Sequence, residues 1–106
     1  MKLIAVLTTT ESREEAEKIA TSLVEHRLAA CAQISAIESV YSWKGQVQQE
    51  SEYRLFIKTT RDRYAEVEAA ILELHSYELP AIYAIELGPV FEPYTNWVAE
   101  NARTPA

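Results

Sequence analysis

Five apolar residues in unbroken succession, Leu3-Ile4-Ala5-Val6-Leu7, run up to Thr8-Thr9-Thr10. A run of that length with no polar interruption predicts a strand covered on both faces, and therefore a central one. Behind it, Ala16, Ile19, Ala20, Leu23 and Val24 recur at helical spacing, while Arg13, Glu14, Glu17, Lys18 and Glu25 take the opposite side. Ser12 and Glu15 stand ahead of that stripe at capping-box spacing, so an amphipathic helix is predicted there.

From Ala29 the period changes to two. Cys31, Gln33, Ser35, Ile37, Ser39, Tyr41 and Trp43 fall on one face, and Ala32, Ile34, Ala36, Val40 and Lys44 on the other. Lys44-Gly45 supplies a turn, after which Val47, Tyr53, Leu55 and Ile57 alternate with Gln48, Glu50, Glu52, Arg54, Phe56 and Lys58. Each arm of this hairpin has roughly 14 residues and reaches about 45 Å at ~3.3 Å per residue, whereas a small sheet needs strands of about 5–6. The tip must overhang, and the apolar Val40, Tyr41, Trp43 and Val47 near it predict cover by another subunit.

Thr60 or Asp62 is placed to cap a second helix with Tyr64, Val67, Ala70, Ile71 and Leu74 on its inner stripe, ending before Pro80. Residues 81–87 read as a fourth strand broken by Gly88-Pro89. A short third helix is expected to start at Pro93 with Tyr94, Trp97 and Val98 facing inward. This order predicts an α+β fold, a ferredoxin-like βαββαβ sandwich with a long second-to-third-strand hairpin and a short C-terminal helix. At 106 residues the chain is expected to form one domain over 1–106.

Sixteen acidic against ten basic residues give a net charge of −6, which argues against a nucleic-acid partner. Cys31 is alone and cannot pair within the chain, and no apolar run has the length of a membrane span. The expected setting is therefore the reducing cytoplasm, with no membrane partner. Only Gly45 and Gly88 occur, so no phosphate-cradling loop is present, and no zinc-type Cys or His spacing exists. With no nucleophile and base placed together, no enzymatic activity is expected.

Cys31 and His75 are the main soft or borderline donors, a thiolate and imidazole pairing that suits copper. Each has a plainer reading: Cys31 as a small buried hydrophobe, His75 as a cation at the end of the second helix. His26 reads as surface. Glu50, Glu52 and Lys58 read either as a solvated face or as a face that meets the helices or a neighbouring subunit.

Leu28-Ala29-Ala30-Cys31-Ala32, Tyr41-Ser42-Trp43-Lys44-Gly45, Leu55-Phe56-Ile57-Lys58-Thr59-Thr60, the stretch from His75-Ser76-Tyr77 to Ile82, and Tyr94-Thr95-Asn96-Trp97 follow one another along the chain. In that order and spacing they resemble the CutA family of divalent-cation tolerance proteins. The resemblance implies a homotrimer related to the PII signalling proteins, with Tyr41, Trp43 and Val47 at the subunit interface. It implies an inter-subunit cleft at Trp43, Glu50, Lys58 and Tyr77, and a role in the response to metal ions with Cys31 and His75 as metal ligands. No obligatory cofactor is implied; copper or another divalent cation is the expected ligand. Thr8 and Leu74 stand where some bacterial relatives carry a cysteine and a second histidine. The other expectations are a PII-like sensor holding a small anionic metabolite through Lys58 and Arg54, and a structural trimer that interacts with another protein.

Overall fold

In the computed structural model, which describes residues 2–103, the first strand outruns its apolar core: β1 spans Leu3–Thr10. The three threonines prolong it because β-branched side chains suit a pleated strand, and Thr8 and Thr10 are themselves buried. β1 pairs antiparallel with both β3 (Gln46–Thr60) and β4 (Ile82–Leu87), and β2 (Cys31–Trp43) completes a sheet of order β2-β3-β1-β4. The uninterrupted apolar run is thus central, as its pattern predicts.

Ser12 caps α1 (Arg13–Glu25) by accepting the Glu15 N–H at 3.1 Å. The Glu15 carboxylate does not return the bond; it crosses to the N–H of Ser76 at 2.7 Å and the Ser76 hydroxyl at 3.1 Å. Ala16, Ile19, Ala20 and Leu23 pack with Ile4, Val6, Leu55 and Ile57, each large aliphatic contributing about 1.5–3 kcal/mol by leaving water. Val24, expected on that stripe, is instead exposed. At about 100° per residue it stands roughly 80° around the helix from Ala16, at the margin of the contact.

A 3-10 turn, Arg61–Arg63, leads into α2 (Tyr64–Leu74). Neither expected cap bonds the helix backbone, because the Thr60 hydroxyl donates to the Asp62 carboxylate at 2.5 Å. Val67 and Ile71 are buried, with Tyr64, Ala70 and Leu74 flanking them on the same core. α3 (Glu92–Asn101), with Pro93 in its first turn, packs on the other face of the sheet through Val98 and Ala102 against Leu3 and Ala30. Trp97, expected to face inward, is exposed: one residue before the buried Val98, it is turned about 100° away and stacks on Tyr94 at 5.7 Å. Arg27, at φ 58°, closes α1 and sends its guanidinium to the carbonyls of Glu100 (2.6 Å) and Arg103 (2.8 Å).

The hairpin keeps one register from Cys31↔Lys58 to Trp43↔Gln46. Lys44 (φ 50°) and Gly45 (φ 80°) both adopt the left-handed conformation that a two-residue type I′ turn demands. β1 stops at Thr10↔Tyr53, so Ile37 to Trp43 and Gln46 to Glu52 project past the third strand. The molecule accordingly measures 47 Å along its long axis, and Val40 and Val47 stand 67% and 79% exposed.

Thr8 carries a structural inefficiency with a simple remedy. Its hydroxyl is buried and has no hydrogen-bond partner among the described residues. Replacing an unpaired buried hydroxyl by a methyl group of like shape removes a desolvation penalty of about 1–3 kcal/mol. Thr8→Val is therefore expected to raise the urea midpoint at unchanged slope; a lower midpoint shows that the hydroxyl has a partner in solution.

Candidate functional site

Cys31 opens β2, half-buried, directly across from Lys58 and on the sheet face away from α1 and α2. His75 follows α2, but its ring leaves the helix end, and its side chain is only 1% exposed. Nε2 lies 2.7 Å from the carbonyl of Thr9, and Nδ1 accepts the Tyr77 N–H at 3.1 Å. Both ring nitrogens are engaged, so His75, expected as a cap at the end of the α2 dipole, instead ties β1 to the following loop. The Glu15 carboxylate stands 3.8 Å from Nδ1.

Cys31 is level with Ala5 through Lys58, whereas His75 meets β1 at Thr9. Four residues along β1 and two strand spacings across the sheet separate them by about 16 Å. The two expected metal ligands therefore do not share a site within one chain. Among the described residues no three His, Cys, Asp or Glu side chains converge in a way that could hold a metal ion.

The overhanging hairpin makes a different site. Its face turned away from α1 and α2 meets the segment 77–83 across a cleft of about 910 Å³. Tyr41, Trp43, Glu50, Glu52 and Arg54 line one side, and Tyr77, Leu79 and Tyr83 the other. Strand alternation puts the glutamates on this face, opposite Ser39 and Ile37. The Tyr77 hydroxyl donates to Glu52 Oε2 at 2.6 Å, and the Tyr41 hydroxyl donates to Glu50 Oε1. Tyr77 also rests on the His75 ring, with centroids 4.9 Å apart, so Thr9, His75, Tyr77 and Glu52 form one polar chain from β1 to the hairpin.

Three of the four expected cleft residues, Trp43, Glu50 and Tyr77, line it, and Lys58 does not. Lys58 is six residues along β3 from Glu52, about 20 Å away, and its ammonium lies 5.4 Å over the Tyr94 ring. Tyr41 and Trp43 face the cleft, whereas Val47 lies on the opposite face of the hairpin. Glu52, weighed with Glu50 and Lys58 as a solvated or a contacting face but not named for the cleft, is only 7% exposed. The available signal was Tyr77, a phenol placed two residues after a helix-ending histidine.

The hydrogen bond to Glu50, followed by burial, pushes the Tyr41 phenol from its ordinary 10.0 up to about 12. Burial and then the bond to Glu52 raise Tyr77 as well. Both groups hold their protons more tightly folded than unfolded. Their contribution to stability is therefore complete below about pH 10 and is lost as pH rises through the folded values. A spectrophotometric titration should show phenolate forming last at these two tyrosines, and Tyr77→Phe should remove the highest-pH step; an unchanged curve would contradict the Tyr77–Glu52 bond.

The CutA1 divalent ion tolerance protein model matches residues 4–101 of the chain. The divalent-cation tolerance protein CutA of Pyrococcus horikoshii is 36% identical over 101 residues, covering 95% of this chain and 99% of the relative. The structure of the periplasmic divalent cation tolerance protein CutA from Archaeoglobus fulgidus superposes with a TM-score of 0.93 at 34% identity, covering 97% of this chain and 100% of that one. CutA1 from Oryza sativa does so with a TM-score of 0.94 at 30% identity, covering 99% and 97%. Among the described residues no helix is long and apolar enough to cross a membrane.

Proposed function

The chain belongs to the CutA1 divalent ion tolerance family, and from that premise we propose that it serves the response to divalent metal ions as a homotrimer, in a binding role and not as an enzyme. The observation that carries this reading is the family match over residues 4–101. The overhanging hairpin supports assembly: Val40 and Val47 are too exposed to be left in water, and a second copy of the same tip offers the matching apolar surface. Copper is the proposed cargo, and Cys31, a free thiol suited to a reducing cytoplasm, is its soft donor.

One chain lacks a converging set of three ligands among the described residues, so donors from neighbouring subunits complete the proposed site. His75 acts through the loop it holds, since both of its nitrogens are engaged. An anionic metabolite is disfavoured in the cleft, where Glu38, Glu50, Glu52 and Glu78 face Arg54 as the single cation of the lining.

Native mass spectra should show a three-chain mass that takes up a small, saturating number of copper ions. Cys31→Ser should lower that number while leaving the mass of the assembly intact. Val47→Glu, which brings like charges together at the tips, should shift the population toward single chains. A monomeric parent protein, or equal copper uptake by parent and Cys31→Ser, would refute the corresponding part of the reading.

A further inference from the structure

α3 is the least anchored of the three helices. One of its ten residues, Val98, is buried, against four in α1 and two in α2, and with Ala102 just past the helix end it rests on Leu3 and Ala30. Its first turn has no side-chain cap. Two polar contacts add to this small apolar floor. The Arg27 guanidinium donates to the carbonyls of Glu100 and Arg103, acceptors that the end of a helix leaves over. Toward the start of α3, the Lys58 ammonium lies 5.4 Å over the Tyr94 ring and forms no ion pair among the described residues. Cys31 adjoins both the floor and that contact, since it follows Ala30 in the chain and stands opposite Lys58 in the ladder.

We propose that α3 is a strap that lifts from the sheet as a unit while the four strands stay paired, and that its lifting uncovers Cys31. A segment with few buried apolar contacts opens at a lower free-energy cost than the core, so α3 opens well before the fold is lost. The sheet does not depend on it, because β1 is held on both sides by β3 and β4 and α3 adds nothing to the ladders. Docked, α3 leaves Cys31 half-buried; lifted, it frees Lys58 from Tyr94 and opens the approach to the thiol. Arg27 sets the balance between the two states through its hold on the last carbonyls of the helix. Resting on the copper reading above, the strap regulates that site by giving Cys31 room to meet donors of a neighbouring subunit. The motion itself needs no metal.

The test is hydrogen exchange of the full-length, metal-free protein read by mass spectrometry, together with alkylation of its single cysteine by iodoacetamide. Amides of α3 are expected to exchange at least about tenfold faster than those of β1 and β3. Arg27→Met removes two hydrogen bonds from a charged donor and should speed α3 exchange and Cys31 alkylation together by about tenfold, with β1 and β3 unchanged. Val67→Ala opens a cavity in the core on the other face of the sheet; it should lower the urea midpoint and leave the alkylation rate as it is. Should Arg27→Met fail to fold, Tyr94→Leu, which releases Lys58, gives the same comparison. Exchange in α3 as slow as in the sheet overturns the proposal, including the case in which a neighbouring copy pins the helix. Faster α3 exchange with unchanged alkylation overturns it too, as do equal gains in Arg27→Met and Val67→Ala, or a gain accompanied by dissociation in native mass spectra. Failure of the copper reading shows separately, as copper uptake that Cys31→Ser does not lower.

Discussion

The pairing of β2 with β3 is the constraint from which the rest of the molecule follows. A single register holds for thirteen pairs because Lys44 and Gly45 fold the turn in two residues and leave no slack for a slip. Over the first half of that ladder the alternation of side chains has a purpose on both faces, since α1 and α2 cover one and α3 the other. Past Tyr53 the third strand has ended, and the same alternation now serves a two-stranded ribbon with nothing behind it. The ribbon is too long to be stable by itself in water, so its two faces must find other uses. One carries the exposed valines, and the other carries the aromatic and acidic cleft.

The cleft depends on a second, smaller device. His75 spans from the carbonyl of Thr9 to the N–H of Tyr77, and Glu15 reaches the adjoining Ser76 from α1. Three separate elements thereby fix the start of the segment that faces the hairpin. Tyr77 then closes over Glu52 with its ring on the histidine. A carboxylate that the strand pattern leaves facing solvent is covered from outside the sheet, by a residue 25 positions further along the chain.

The elements most legible in the sequence were those whose information is local. Ser12 and the apolar stripe of α1, the two-residue turn at Lys44-Gly45, and the continuous run of β1 each declared themselves within a dozen residues. Boundaries and faces were less secure: Thr8 to Thr10 read as an end and proved to be strand, and Val24 and Trp97 lay at the margins of their helical stripes. The site was least legible. The burial of Glu52, the bridging role of His75 and the distance of Lys58 from the cleft all depend on where a loop crosses the hairpin, and residue spacing does not encode that crossing. The overhang was the exception, because strand length against sheet width is simple arithmetic.

The core on the outer side of the sheet joins opposite ends of the chain: Leu3 is covered by Val98 and Ala102, and Arg27 secures the carbonyls of Glu100 and Arg103. During translation, β1 emerges from the ribosome first yet is flanked by strands made much later, and its outer face stays bare until α3 is synthesised. At about 5–20 residues per second, the most apolar strand waits several seconds for its cover. Ribosome stalling before α3 would leave a sheet complete in its pairing but open on one side.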